Sequence, residues 1–211
     1  KGAPSLQPVA ETAGITDLSA LGLSRDGTLW IGTDKSGTYA YTPGKAVRAV
    51  PLPQFGGQHA WPLAIHEIRP GVMWFGTYGK GIIEYTTSNG HSKLIQQQRL
   101  QKTNLLDNDI WSFYQDRQGV LWIGSRLGAN MYNAAQTAIQ HLPGGDAKTG
   151  IADPLIYSMA AMPNDTVWLG SGNQGLDIIH PLKGLIQHLP NGSRVGALKV
   201  PEDPIESIYL D

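Results

Sequence analysis

Ten residues carry side chains suited to holding a ligand and fall where no regularity of the chain requires them: Asp17, Lys35, His59, Trp61, Lys80, Asp109, Trp111, Arg126, Tyr157 and Asn173. Aromatic rings beside carboxylates, amides and cations suit a polar, ring-shaped ligand such as a sugar: ring faces stack while polar groups read hydroxyls. Asp34, Tyr78, Asp153, Gln174 and Glu206 belong to the same two groups of positions. No catalytic set emerges. His59, His66, His91, His141, His180 and His188 show neither helical i, i+4 spacing nor finger-type spacing, so no metal site is expected. The carboxylates are scattered, and none can be given acid or base roles. Gly79-Lys80-Gly81 lies between strand-like segments and lacks the helix whose N-terminus would hold a phosphate. No G-x-S-x-G elbow occurs. No cofactor is expected.

The elements that must position these residues announce themselves by repetition. Trp30-Ile31-Gly32-Thr33 returns as Trp74-Phe75-Gly76-Thr77, Trp122-Ile123-Gly124-Ser125 and Trp168-Leu169-Gly170-Ser171, with steps of 44, 48 and 46 residues between the tryptophans. Before each tryptophan stands a tight-turn pair: Asp26-Gly27, Pro70-Gly71, Gln118-Gly119 or Asn164-Asp165. A short apolar run precedes that turn: Leu18 to Leu23, Leu63 to Ile68, Ile110 to Tyr114 and Ile156 to Met162. After the tryptophan segment comes a polar loop ending at Gly37, Gly81, Gly128 or Gly175, and then a third run. A fourth run closes each unit: Ala46 to Val50, Ser92 to Gln96, Ala138 to Leu142 and Leu185 to Leu189.

Four short strands per unit of roughly 45 residues read as the blade of a β-propeller, an all-β fold. One blade cannot bury both of its faces, so neighbours must stack. The four tryptophans are the natural filler between them, and the adjacent glycine lets backbones approach. In such a fold the loops leading into the first strand and those joining the second and third strands share one face. Asp17, His59, Trp61, Asp109, Trp111 and Tyr157 fall in the first set, and Lys35, Lys80, Arg126 and Asn173 in the second. These positions vary from repeat to repeat while the strands do not, as expected of binding loops on a fixed scaffold.

The pattern D-x-x-G-x-L-W-I-G-T followed by G-L-x-x-Y resembles the two-component regulator propeller repeat. Asp116-Arg117-Gln118-Gly119-Val120-Leu121-Trp122-Ile123-Gly124-Ser125 carries it most fully, and Arg25-Asp26-Gly27-Thr28-Leu29-Trp30-Ile31-Gly32-Thr33 nearly so. Ser24 and Met162 replace the leading aspartate in the first and fourth repeats. The resemblance implies the extracytoplasmic, periplasmic sensor region of a membrane-anchored bacterial signalling protein with a histidine kinase or diguanylate cyclase output. It implies a non-catalytic chain that binds a small molecule, such as a carbohydrate, or a protein partner. Two alternatives belong to other classes. Streptogramin lyases are similar in their short repeat and use a histidine and a metal on the propeller face, where His59 is the nearest candidate. A structural interaction scaffold is the other.

Composition narrows the partners. Sixteen basic and 17 acidic side chains give a formal net charge of −1 without a basic run, which argues against a nucleic-acid surface. There are no cysteines, hence no disulfide. No apolar run approaches 18 residues, so no membrane contact is expected within this chain. The blades are expected at about 15–53, 54–104, 105–150 and 151–200. Residues 1–14 read as the last strand of a preceding blade. Residues 205–211, similar to Ile110-Trp111-Ser112-Phe113-Tyr114-Gln115-Asp116, read as the first strand of a following one. The expectation is a piece of a larger propeller. Alone it would expose two apolar blade faces, which favour self-association into a homo-oligomer.

Overall fold

In the computed structural model, residues 9–97, 105–133, 139–145, 150–180, 183–196 and 198–208 are described. Blade 1 consists of β1 (Leu18–Leu23), β2 (Leu29–Thr33), β3 (Thr38–Tyr41) and β4 (Arg48–Val50). A two-stranded hairpin, β5 (Gln54–Phe55) and β6 (Gln58–His59), precedes blade 2. Blade 2 holds β7 (Pro62–Arg69), β8 (Val72–Thr77), β9 (Gly81–Thr86) and β10 (Ser92–Ile95). Blade 3 holds β11 (Ile110–Gln115), β12 (Leu121–Ser125), β13 (Gly128–Tyr132) and β14 (Ile139–Pro143). Blade 4 holds β15 (Ile156–Ala161), β16 (Val167–Ser171), β17 (Leu176–His180) and β18 (Gly184–Leu189). A last small hairpin joins β19 (Arg194–Val195) and β20 (Leu198–Lys199). Each blade is an antiparallel four-stranded meander in sequence order.

The repeated residues have repeated jobs. The second residue of each turn pair takes a left-handed conformation: Gly27, Gly71, Gly119 and, in blade 4, Asp165 at φ 59°. Aspartate is among the few residues other than glycine that tolerate that region, which is why the fourth repeat does without one. The Thr or Ser closing each tryptophan segment ties down the next loop. Thr33, Thr77 and Ser125 donate their hydroxyls to the carbonyls of Gly37, Gly81 and Gly128 at 2.7, 2.8 and 2.6 Å. The leading aspartate of the third repeat is the acceptor for the buried indole, with Trp122 Nε1 donating to Asp116 Oδ2 at 3.0 Å. Ser24 fills that role for Trp30 at 2.9 Å, its own hydroxyl donating to Asp26. Trp74 turns instead to Glu84 at 2.9 Å.

Successive blades pack through their first strands, β1 on β7, β7 on β11 and β11 on β15. In blades 1 and 2 the glycine after the tryptophan sits where the next blade comes closest. A methyl group on Gly76 would stand 2.5 Å from Ile110 Cγ2, and one on Gly32 would stand 2.9 Å from Pro62 Cβ. Trp30 lies edge-on to Phe75 and Tyr85 of blade 2, and Trp74 packs on Phe113 and Tyr132 of blade 3. Buried polar groups bind connections across the fold. Glu67 accepts the N–H of Arg25 in blade 1 and of Gly71 in its own turn, at 2.7 and 3.0 Å. Asp177 accepts the Ala152 N–H at 2.8 Å and pairs with His188 Nδ1 at 2.8 Å. Burial pushes its carboxyl up from the ordinary range, against the pull of those two partners.

The chain departs from expectation in four places, one of them the hairpin β19–β20, which the sequence does not announce. The hairpin β5–β6 was not foreseen. At the start, Ala10–Thr12 form a 3-10 turn, and the strand expected over Leu6 to Val9 falls almost wholly outside the described residues. Near the end, 205–208 are not paired as a strand, and 209–211 lie outside the described residues. Ile205 nevertheless takes the seat that Ile110 and Ile156 take for blades 2 and 3. It is buried against Gly170, accepts a hydrogen bond from Ser158 Oγ at 2.6 Å, and donates its N–H to Ser171 at 3.0 Å.

Candidate functional site

In every blade one backbone hydrogen bond fastens the loop between the second and third strands to the segment leading into the first. Asp34, Tyr78, Arg126 and Gly172 donate to the carbonyls of Asp17, Trp61, Asp109 and Leu155 at 3.1, 3.0, 3.2 and 3.0 Å. The two sets of variable positions are therefore neighbours, blade by blade, on one rim of the sheets.

Across blades 2 to 4 that rim carries a row of aromatic rings. Trp61 and Tyr78 lie 5.1 Å apart between centroids, Tyr78 and Trp111 6.4 Å, and Trp111 and Tyr157 5.4 Å. Trp61 and Tyr78 are exposed, and Trp111 and Tyr157 are half-buried. The Trp111 indole N–H is buried without a partner. At the blade 1 end the row opens into a cavity of about 590 Å³ bounded by Asp34, Lys35, His59, Trp61, Tyr78 and Lys80. One wall is the β5–β6 hairpin. Its turn is Gly56-Gly57, with φ of 61° and 78° at the two residues, a geometry that glycine adopts without steric cost. Phe55 anchors the hairpin by packing against the core shared by blades 1 and 2. The His59 ring lies over Gly37, where a methyl group would be 3.2 Å from Nδ1.

Of the ten candidates, four line this cavity: Lys35, His59, Trp61 and Lys80. Trp111 and Tyr157, expected in the loops leading into the first strands, lie instead within β11 and β15, at the register shift after the first residue of each strand, and form the far half of the row. Asp109 and Arg126 are engaged with each other and with the scaffold. Arg126 bridges Asp109 and the buried Asp107 at 3.0 Å each, and Asp109 Oδ1 accepts the Gly79 N–H at 2.6 Å. They set the loop carrying Tyr78 and Lys80 rather than presenting free charge. Asp17 is exposed on blade 1 at φ 57° and lies outside the cavity. Asn173 is exposed on blade 4, its N–H donating to Asp153 at 2.6 Å and its carbonyl accepting from the Asn191 side-chain amide at 3.0 Å. Phe55, Gln58 and Asp107 did not stand out in the sequence. The Gly-Gly pair was the signal for the first two, and Asp107 had none. Among the described residues, no group of three or more His, Asp or Glu could share a metal ion. No helix among them is long and apolar enough to cross a membrane.

Four-stranded meanders stacked through their first strands, with the variable loops gathered on one rim, define the blades of a β-propeller. The profile of the family described as "Two component regulator propeller" matches residues 104–126, which include the third tryptophan segment. No curated protein sequence matches the chain. Among solved structures, the extracellular domain of the hybrid two component system BT3049 from B. thetaiotaomicron is similar over 88% of this chain and 23% of its own, at 17% identity and a TM-score of 0.63. The corresponding domain of BT4673 from the same organism is similar over 87% and 33%, at 15% identity and a TM-score of 0.51. A catalytically inactive virginiamycin B lyase from Staphylococcus aureus, solved with quinupristin, is similar over 88% and 63%, at 14% identity and a TM-score of 0.63. This chain thus spans less than two thirds of each of these relatives, and at such identities the likeness is one of fold.

Proposed function

We propose that this chain is the ligand-sensing or interaction module of a membrane-anchored bacterial signalling protein, placed outside the cytoplasm. The carrying observation is the row Trp61–Tyr78–Trp111–Tyr157, which brings rings from three blades into contact along one rim, two of them exposed. Such a row beside a cavity with Lys35, His59 and Lys80 suits a polar ring ligand, a sugar above all. The family repeat and the likeness to extracellular domains of two component systems support the signalling context. Occupation would bias one of two arrangements of the parent protein, through unequal affinity for them. Titration of the chain with a panel of mono- and oligosaccharides, followed by tryptophan fluorescence, tests the site. Saturable quenching is expected, lost in Trp61→Ala at unchanged melting temperature. A protein-binding scaffold would leave every sugar silent.

The lyase likeness keeps an enzyme as a second reading, with His59 in the cavity as its base. Cleavage of a streptogramin by this chain, abolished by a chelator and by His59→Ala, would establish it. Inactivity with the sugar response intact would dismiss it.

A further inference from the structure

We infer that the cavity between blades 1 and 2 takes a ring bearing an anionic group, with the anion at Lys80 and the ring on Trp61 and Tyr78. This rests on the reading of the rim as a ligand site and names the class of ligand. The charges around the cavity do not cancel. Asp109, the carboxylate nearest the Tyr78–Lys80 loop, is taken up by Arg126 at 3.0 Å and by the Gly79 N–H. Asp34 is paired through Oδ2 with Lys35, 3.4 Å away, and its Oδ1 is buried without a partner. Among the described residues Lys80 has no ion-pair partner. Its ammonium stands 5.4 Å from the centre of the Phe55 ring in the hairpin wall. Its backbone is held as well: the Gln96 side chain donates to its carbonyl at 3.3 Å, and the neighbouring Gly81 donates its N–H to Asn108 at 2.8 Å. His59, on the same wall, adds a ring N–H donor.

A lysine fixed at its base, seated over an aromatic ring and lacking a carboxylate is a cation available to a ligand. The exposed pair Trp61–Tyr78 beside it offers the faces of two rings at 5.1 Å. A hexuronate presents both features in one molecule: a pyranose face for the aromatic pair and a carboxylate for the ammonium. A neutral sugar leaves Lys80 unused, and a bare anion leaves the rings unused. A hydrogen bond to a charged partner changes affinity by about tenfold or somewhat more.

The test follows the indole N–H resonance of Trp61 by NMR while the chain is titrated separately with sodium glucuronate, glucose and sodium acetate. Glucuronate is expected to shift that resonance saturably, glucose to bind about tenfold more weakly, and acetate to leave it in place. Lys80→Gln is expected to weaken glucuronate about tenfold, down to the level of glucose, and to leave glucose unchanged, whereas Lys80→Arg restores the preference. Equal affinities for glucuronate and glucose, unaltered by Lys80→Gln, would overturn the anionic class while leaving the rim a sugar site. A shift by acetate equal to that by glucuronate would overturn the role of the rings. Silence with both sugars would overturn this inference and the sugar reading together.

Discussion

The seam between blades 2 and 3 and the outer face of blade 4 are built from the same repeat and end differently. At the seam, Trp74 is 2% exposed and packs on Phe113 and Tyr132, with Ile82, Leu105, Ile110, Leu121 and Ile123 closing the cluster. On blade 4, Trp168 is only half-buried. It meets Leu198, Ile205 and Ile208 around an apolar cleft of about 310 Å³. The sequence around the two tryptophans is nearly the same; the neighbour is not. Blade 3 offers a paired strand, whereas beyond blade 4 the described segment 205–208 fills the seat unpaired. The front of blade 1 makes the same point. Leu18 is 55% exposed, while Ile110, its equivalent in blade 3, is at 0%. Burial in a repeat fold is conferred by the next repeat, and stability divides into terms for units and terms for interfaces.

The contrast breaks most readily at the tryptophans. Trp122→Ala, at a seam where the ring is fully buried, is expected to cost about 3–5 kcal/mol. Trp168→Ala is expected to cost about 1–2 kcal/mol, since less area leaves water in the native state. Urea midpoints of the two variants check this, and equal losses would show that the segment after blade 4 seals its face as well as a blade does. Next come the close approaches. Gly76→Ala drives a methyl group into Ile110 of a paired strand and is expected to cost about 1–3 kcal/mol. Gly170→Ala meets Ser158 Oγ of the paired strand β15 first and Ile205 Cγ2 at 2.6 Å second, so yielding of the unpaired segment relieves only part of the crowding. A loss of about 1–3 kcal/mol is expected there too, and a smaller loss than at Gly76 would show how much the free segment gives way.

A smaller difference lies in the indole acceptors. Asp116 accepts the Trp122 indole and the N–H groups of Gln118 and Val120, the two at 2.9 Å. Asp116→Ala should therefore lose about 1–2 kcal/mol. Met162 holds the same place before Trp168 and offers no oxygen. Met162→Asp is expected to raise the stability of blade 4 by up to about 1 kcal/mol. Thermal melts measure both, and a fall in melting temperature for Met162→Asp would show that the thioether packs better than a carboxylate bonds.

The strands were legible to within one or two residues because each is bracketed by a turn pair, a tryptophan and a loop glycine in fixed order. The hairpin over 54–59 was not: two-residue strands carry no period, and Pro53 with Gly56-Gly57 reads as a loop. The residue types of the aromatic rim were legible as the positions that escape the repeat. Their grouping was not. Trp61 meets Tyr78 because a hydrogen bond joins their two loops, and Tyr78 meets Trp111 only because blades 2 and 3 stack. Nothing in the sequence says that Arg126 spends its charge on Asp107 and Asp109 while Lys80 keeps its own. Pairing of charges across loops is decided by tertiary distance, which periodicity does not encode.

The subtlest difference between the seam and the outer face should appear as a pH dependence. His66 lies at the seam, its ring 6.5 Å from that of Phe113, with Nε2 buried and unpartnered. Burial holds its pKa below the usual 6.5, helped by Arg25 and opposed by a hydrogen bond with Gln115 and by the charge of Glu67. The unfolded chain therefore takes up a proton near pH 6.5 while the native seam resists it. Stability is expected to fall as pH drops below about 6.5, with a slope of at most about 1.4 kcal/mol per pH unit, until His66 protonates in the native state as well. His66→Gln removes that proton and should flatten the curve between pH 6.5 and the lowered pKa. The outer face of blade 4 carries no buried unpartnered histidine among its described residues, so Trp168→Ala should leave the slope untouched. Urea titrations at half-unit pH steps distinguish the two, and a His66→Gln curve parallel to that of the native protein would show that the seam admits water to the ring.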